Sequence, residues 1–300
     1  MKIPSHTSAG PVSPINNRPK PSDSPVTSNE TRSTTANASA LRADTISRLF
    51  ARAGVDGRST STDYKQRRQA LTRRDEVNQL SKLDNLQAVM DIAMAVNVRH
   101  TTDDEIDPDW FFAFVSLAEN VYSTAMQELW GKILAVEVAS PGSFSLRSLQ
   151  TITYLTQRDA LLFGRAAGMA MRSQDTVPRL VVGYHQRRSF FQWLKNPAGA
   201  QLNLAHYGLS YPDLLTLIDL KLIFASEIES AEIAPDKPIT WRYGQQGITL
   251  QARKPGVALV YYKFTHVGAE LFKLIARQDS PDYIEALSHV LHPVFEMKRT

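Results

Sequence analysis

The sequence predicts a mainly α-helical protein, in which a helical bundle is followed by a small α+β unit of winged-helix type. Apolar residues recur every three or four positions from about residue 41 to residue 171, which is the period of amphipathic helices. Beyond Pro178, strand-like runs separated by glycine and proline turn signals take over. With 300 residues, 43% hydrophobic and 21% charged, the composition is that of an ordinary soluble globular protein of one or two domains.

Residues 1–39 predict a disordered tail. They are rich in proline, serine and threonine and have few apolar side chains, so burial cannot compensate the conformational entropy lost on ordering. This composition also resembles the unstructured export signals of some secreted effectors, but a plain tail is the preferred interpretation.

Residues 40–178 predict a helical domain. A short helix is expected from Leu41 to Ala53, where Gly54 ends it, and Asp63 caps a longer helix that continues through Val96. Asp107 and Pro108 then have the order of an N-cap and a first helical residue. We expect the helix that follows to run without interruption from Trp110 to about Val138.

The stretch Gln127–Leu149 reads Q-E-L-W-G-K-I-L-A-V-E-V-A-S-P-G-S-F-S-L-R-S-L, which predicts a helix, a sharp turn at Pro141-Gly142 and a second helix capped by Ser145. Gly131 inside the first helix should cost about 1 kcal/mol relative to alanine, so it indicates close contact with a neighbouring helix. Thr156 with Asp159 resembles the capping box of a further helix.

Residues 179–300 predict an α+β domain. A strand at residues 179–184 precedes a helix capped by Ser210, and three more strands are expected at 239–243, 247–252 and 257–264. Thr265 and Ser280 then begin two closing helices. The order of helix, strands and helix within residues 205–278 predicts a winged-helix-like unit.

Composition narrows the possible functions. The absence of cysteine excludes disulfides, thiol catalysis and cysteine-based zinc sites. We predict no cofactor and no metal. No membrane association is expected, because the longest strongly apolar run, Trp110–Ala118, is far shorter than the roughly 20 residues of a membrane-spanning helix.

The positive charge is concentrated in the first third of the chain, where residues 1–99 carry 15 Lys and Arg against 9 Asp and Glu. Residues 100–300 carry 19 against 21. Clustered cations are what phosphate neutralisation requires. The nucleic-acid candidates are therefore Lys65, Arg67, Arg68, Arg73 and Arg74, although Asp75 and Glu76 follow directly and a solvated helix face is the alternative.

Four further residues are candidates for contact with an anion or a partner: Arg147, His185, Arg187 and Arg188. Arg147 lies in the first turn of a capped helix, where its charge opposes the helix dipole, so a compensating group is expected. That group is either Glu137 or Asp159 in a salt bridge, or an external anion. The other three belong to the polar segment G-Y-H-Q-R-R-S, which either binds phosphate or forms an ordinary exposed loop.

Several long phrases carry a family resemblance: D-E-I-D-P-D-W-F-F, M-Q-E-L-W-G-K-I-L-A-V-E, P-G-S-F-S-L-R-S-L, Y-G-L-S-Y-P-D-L-L-T-L-I-D-L and A-S-E-I-E-S. They resemble a bacterial family of conserved hypothetical proteins that has no established activity. The resemblance implies one cytoplasmic bacterial architecture and supplies no catalytic residue.

Together these observations favour a non-enzymatic binding or adaptor protein that recognises another macromolecule, in the first instance another protein. A winged-helix DNA-binding regulator is the first alternative. The second is a hydrolase or a defence-related effector enzyme, which a pocket converging on Glu137, Arg147 and His185 would favour.

Overall fold

A computed structural model of the protein describes residues 30–55, 63–97, 104–173, 177–187, 198–275 and 278–299. They form a mixed α+β structure of helices and one antiparallel sheet. The chain divides into two compact units, Met1–Asn78 and Gln79–Thr300. The domain boundary predicted at residue 178 falls within the second unit, where one hydrophobic core joins the helices before it to the strands after it.

The helices, in chain order, are α1 (Glu30–Arg52), α2 (Tyr64–Ala95), α3 (Pro108–Ala118), α4 (Thr124–Ala139), α5 (Leu146–Tyr154), α6 (Gln157–Met169), α7 (Tyr211–Asp219), α8 (His266–Phe272) and α9 (Pro281–Leu291). The predicted helix starts at Asp107, Ser145, Thr156 and Thr265 are confirmed, because each of these side chains accepts a backbone N–H of the first turn. Local capping chemistry therefore determines where these helices begin.

Two helix predictions need correction. The first helix begins at Glu30 rather than Leu41, so it starts within the segment predicted as a tail, whose residues 1–29 lie outside the described residues. The helix predicted from Trp110 to Val138 is two helices, because the chain turns after Ala118 and Ser123 caps a new helix by accepting from Met126 N–H. Apolar residues keep the three-to-four-residue spacing of a helix across this turn, so the sequence pattern does not reveal it.

The strands are β1 (Met171–Arg172), β2 (Pro178–Gln186), β3 (Ala198–Gln201), β4 (Ile228–Glu229), β5 (Ile239–Tyr243), β6 (Gln246–Ala252), β7 (Val257–Lys263) and β8 (Phe295–Arg299). Their order in the sheet is β4-β7-β2-β1-β5-β6-β8, and β3 pairs with β2 beside β1. The predicted strands correspond to β2, β5, β6 and β7. The other strands are short or lie at the sheet edge, where the sequence signal is weak.

A separate winged-helix unit at residues 205–278 is not confirmed. The hairpin of β5 and β6 pairs on its two sides with β1 and β8, which both lie outside that range. Strand β7 pairs with β2, also outside it, and with β4. In a separate winged-helix unit the outer strands of the hairpin would be left unpaired. Here they pair with strands from outside the unit and form part of the larger sheet.

The core of the second unit packs the helices on one another and on the sheet. Trp130 and Ile133 of α4 are fully buried together with Leu149 and Ile152 of α5. The close contact predicted at Gly131 is confirmed, because a Cβ atom there would lie 2.5 Å from Ile92 Cγ2 on α2. A side chain at this position would force the two helices apart.

Candidate functional site

The signature segment between α4 and α5 is held by a buried carboxylate. The side chain of Glu137 is only 2% exposed, and its two oxygens accept the backbone N–H groups of Gly142 at 2.6 Å and Phe144 at 2.9 Å. The Pro141-Gly142 turn brings these donors back toward the helix they follow, with Gly142 at a φ of 80°. The residues of the P-G-S-F-S phrase therefore have a structural role, because they fix the conformation of the turn between α4 and α5.

A second buried carboxylate, Glu270 of α8, holds the other end of the same segment. Its Oε2 accepts Ser145 N–H at 2.8 Å and the hydroxyl of Ser148, while its Oε1 lies 2.7 Å from His266 Nε2. We call Glu137 and Glu270 the buried carboxylate pair. Burial raises the pKa of Glu137 above its usual value, the backbone N–H groups oppose this rise, and the charge of Glu270 adds to it.

The cluster of Ser145, Ser148, Glu270 and His266 does not have the geometry of a nucleophilic triad. In such a triad the imidazole lies between the hydroxyl and the carboxylate, so that it takes the hydroxyl proton. Here the carboxylate of Glu270 lies between the serines and His266. This arrangement fixes a loop and does not activate a serine.

Arg147 lies beside this cluster, exposed on the first turn of α5. It pairs with neither residue proposed as its partner, because Glu137 binds the loop backbone and Asp159 binds Thr156 in the capping box. Arg147 makes no ion pair with the residues that the structure describes. Its role as an anion or partner contact stays a prediction.

A different set of residues lines a cavity in the second unit, which has a volume of about 610 Å³. The cavity lies over neighbouring strands β3, β2, β7 and β4, and we call it the sheet pocket. Its lining residues are Tyr184, His185, Gly199, Gln201, Glu227, Ile228, Glu229 and Val260. The cross-strand neighbours of His185 are Gly199 and Ala258, and these small residues leave space above the sheet.

Two side-chain bridges cross the sheet pocket. His185 Nδ1 of β2 reaches over β7 to Glu229 Oε1 of β4 at 2.5 Å. Gln201 Nε2 of β3 donates to Glu227 Oε2 at 2.9 Å, although β2 and β7 lie between them. A flat sheet would hold β3 and β4 about 14 Å apart, so the bridge from Gln201 to Glu227 requires a concave face.

Glu227 has one more partner, Tyr262, whose hydroxyl donates to Glu227 Oε1 at 3.0 Å. The pKa of Tyr262 is raised to about 12, first by burial and then by the negative charge of Glu227. The tyrosine therefore stays a hydrogen-bond donor at neutral pH. The carboxylates at the pocket remain accessible, since the side chain of Glu229 is 39% exposed.

This geometry places His185 in a pocket with two carboxylates, which favours a cationic ligand over the predicted anion. Arg187 is exposed at the end of β2, where its backbone N–H bonds Gly256 O, and it does not line the pocket. Arg188 lies outside the described residues. Neither Glu137 nor Arg147 lines the pocket with His185, so the convergence expected of an enzyme is not seen there.

Sequence reasoning singled out His185 but missed Gln201, Glu227, Glu229 and Tyr262. A signal was present, because A-S-E-I-E-S places Glu227 and Glu229 two residues apart, on one face of an extended strand. The partners Gln201 and Tyr262 are 26 and 35 residues away from Glu227. Their contact depends on sheet pairing that sequence spacing does not show.

The predicted nucleic-acid residues lie on the first turns of α2, in the first unit, and all five are exposed. Arg67, Arg73 and Arg74 line a groove, whereas Lys65 and Arg68 do not. Over the described ranges, no group of three or more His, Asp or Glu side chains is arranged to hold a metal ion. No helix in those ranges combines the length and apolar character needed to cross a bilayer.

Comparison with known proteins gives a family and no activity. Neither a curated protein nor a solved structure matches the chain. A family profile does match, over residues 67–288, and covers both the buried carboxylate pair and the sheet pocket. The chain belongs to the family described as protein of unknown function DUF2806.

Proposed function

We propose that the protein is a cytoplasmic, non-enzymatic binding protein that holds a cationic segment of a protein partner in the sheet pocket. The observation that carries this proposal is the pair Glu227 and Glu229, which present two accessible carboxylates at one wall of a cavity of about 610 Å³. A lysine or arginine side chain is the ligand that such a pair recognises, and arginine can bind a carboxylate through two parallel hydrogen bonds.

The remaining lining supports a cationic ligand. Among the described residues that line the pocket there is neither lysine nor arginine, so none of them supplies such a cation to the two carboxylates. The imidazole of His185 does occupy one oxygen of Glu229, and Gln201 and Tyr262 occupy Glu227. These donors hold the carboxylates in place while each carboxylate keeps acceptor capacity for a ligand.

The shape of the site favours a protein segment as the ligand. The concave face is built by four paired strands, which form a rigid support, and the short strand β4 lies at the edge of the sheet. A partner's side chain can enter from that edge without rearrangement of the sheet. An adaptor role needs such a preformed site and does not require a nucleophile.

The test is the binding of arginine-bearing peptides. A pool of fluorescent hexapeptides with one central arginine and randomised flanks is compared with a matched pool carrying neutral citrulline, by fluorescence anisotropy on the full chain. We expect the arginine pool to bind and the citrulline pool to fail. Exposed ion pairs contribute about 0.2–1 kcal/mol each, so the double variant Glu227→Gln/Glu229→Gln should weaken binding by about 2- to 30-fold.

A matched control removes two negative charges elsewhere, through Asp219→Asn/Asp236→Asn, two exposed positions that do not line the pocket. This control should bind the arginine pool as the wild type does. Equal binding of both peptide pools, or an equal loss in the control and the double variant, would overturn the proposal.

A winged-helix DNA-binding regulator is the weaker proposal. The order of α7, β5, β6, β7 and α8 supports it, whereas the pairing of these strands with β1, β2 and β8 does not. Sequence-specific binding to a duplex would be its distinguishing property. A hydrolase receives less support, because the described lining of the sheet pocket includes no serine or threonine that His185 could activate.

A further inference from the structure

A stripe in which large apolar side chains alternate with arginines runs along the first turns of α2 in the first unit. Tyr64, Arg67, Leu71 and Arg74 are spaced by three, four and three residues, which puts them on one face of the helix. Tyr64 is 77% exposed and Leu71 is 59% exposed. These two large apolar side chains, each followed by a guanidinium group, are not covered by the residues of this unit that the structure describes.

A groove lies beside this stripe. Its volume is about 510 Å³, and it runs between α2 and the residues Gly54 and Val55 that follow α1. Gly54 has a φ of 72°, and a Cβ atom there would lie 2.8 Å from Arg74 Cα, so the backbone approaches α2 closely. Its lining also includes the small residue Ala70 and the longer polar side chains of Gln66, Gln69, Arg67, Arg73 and Arg74.

The described lining of the groove carries three arginines and no acidic residue, so it is positively charged. Arg67 and Arg74 make no ion pair with the residues that the structure describes, so their guanidinium groups are available to an anion. Seven residues of helix separate them, about 10.5 Å along the axis. The two groups can thus contact successive anionic groups of an extended ligand and need not converge on one.

We propose that this groove and stripe bind single-stranded nucleic acid. The arginines would contact phosphates, Tyr64 and Leu71 would lie against base faces, and the amides of Gln66 and Gln69 would hydrogen bond base edges. A single strand fits better than a duplex, because base faces are accessible to a tyrosine only when the bases are unpaired. The site is independent of the sheet pocket, since it uses residues of the first unit alone.

The test measures binding of the full chain to fluorescent 12-nucleotide strands of dT and of U, and to a 12-base-pair duplex, from 50 to 200 mM NaCl. We expect both single strands to bind with an affinity that falls with salt, and the duplex to bind more weakly. Each phosphate contact on a single strand contributes about 0.7 to the slope of log K against log salt. Arg67→Gln/Arg74→Gln should therefore lower the slope by about 1.4.

Tyr64→Ser separates base stacking from charge. Stacking of one base should make this variant bind about 5- to 150-fold more weakly while the salt slope is unchanged. Lys237→Gln/Lys254→Gln is the matched control, because it removes two exposed cations from the other unit, and it should bind as the wild type does. No binding at 50 mM NaCl, tighter binding of the duplex, or wild-type affinity in Tyr64→Ser would overturn the proposal.

Discussion

The buried carboxylate pair and the sheet pocket present the same chemical group in two environments. Glu137 and Glu270 are 2% and 4% exposed, and their oxygens face backbone N–H and serine hydroxyl donors of one loop. Glu227 and Glu229 are exposed, and their oxygens face the side chains of Gln201, Tyr262 and His185. The first two carboxylates determine the path of the chain, whereas the second two are accessible to a ligand.

The difference follows from the cost of burying charge. A carboxylate removed from water loses several kcal/mol of hydration, which only close donors compensate. The P-G-S-F-S segment provides such donors around the buried pair, so its particular residues have a structural explanation. Carboxylates in water need few protein donors, so Glu227 and Glu229 keep acceptor capacity for the ligand proposed above.

The largest expected effect is that of Glu270→Ala. This change leaves Ser145 N–H and the Ser148 hydroxyl without their acceptor, at a cost of about 1–3 kcal/mol for each of the two groups. Urea unfolding should show that loss in the free energy of unfolding. Glu229→Ala is the matched control and should lose less than about 1 kcal/mol. Similar losses of unfolding free energy in Glu270→Ala and Glu229→Ala would contradict the assignment of a structural role to the buried pair alone.

A smaller effect is expected of Glu137→Gln. The amide keeps one acceptor oxygen for the two backbone donors, so one buried N–H loses its partner, at about 1–3 kcal/mol near neutral pH. Removal of the repulsion from Glu270 opposes part of that loss. We therefore expect Glu137→Gln to cost less than Glu270→Ala in the same urea measurement.

The pH dependence of this variant tests the environment of Glu137 directly. Its pKa is higher in the folded state than the usual 4.5, so the folded state binds the proton more tightly than the unfolded state does. The resulting stabilisation is complete below pH 4.5 and is lost as the pH rises through the folded pKa. The free energy of unfolding of the wild type relative to Glu137→Gln should fall in that direction, and a rise would contradict the raised pKa.

At the sheet pocket, Glu227→Gln should change the ionisation of Tyr262 more than it changes stability. The pKa of Tyr262 should fall from about 12 but stay above its ordinary value of 10, because burial is the larger cause of its rise. The free energy of unfolding should change by less than about 1 kcal/mol. Difference absorbance of the phenolate against the wild type measures the shift, and an unchanged titration would place the carboxylate away from this tyrosine in solution.

Local chemistry explains how much of the fold could be predicted. Caps such as Asp107, Ser145 and Thr156 act within three residues of themselves, so the sequence shows both the donor and the acceptor. The turn between α3 and α4 was missed because part of its support is distant, since Asn85 Nδ2 donates to Glu119 O from α2. The prediction of the sheet was incomplete, because its shortest strands are too short to show an alternation of apolar and polar residues.

The candidate site depends on contacts that are still more distant. Ser145 and Glu270 are 125 residues apart, and His185 and Glu229 are 44 residues apart. Of the four carboxylates, sequence reasoning therefore pointed only to Glu137, as one of two expected salt-bridge partners of Arg147, and did not identify Glu227, Glu229 or Glu270 as site residues. His185 was identified beside arginines along the chain, whereas in the fold it lies beside glutamates that belong to another strand.

The smallest effect on the free energy of unfolding is expected of Arg147→Ala. This variant tests whether the buried carboxylate pair interacts with the charged residue next to it. Arg147 is exposed next to the buried pair but shares none of its hydrogen bonds, and its charge opposes the dipole at the start of α5. We expect the variant to be more stable than the wild type by about 0.3–1 kcal/mol at low salt. In 0.5 M NaCl this gain should largely disappear, because salt screens the dipole interaction. Paired urea titrations at the two salt concentrations measure both quantities. A loss of more than about 1 kcal/mol would instead show that Arg147 stabilises the loop itself, and the carboxylate pair would then be part of a larger charged network.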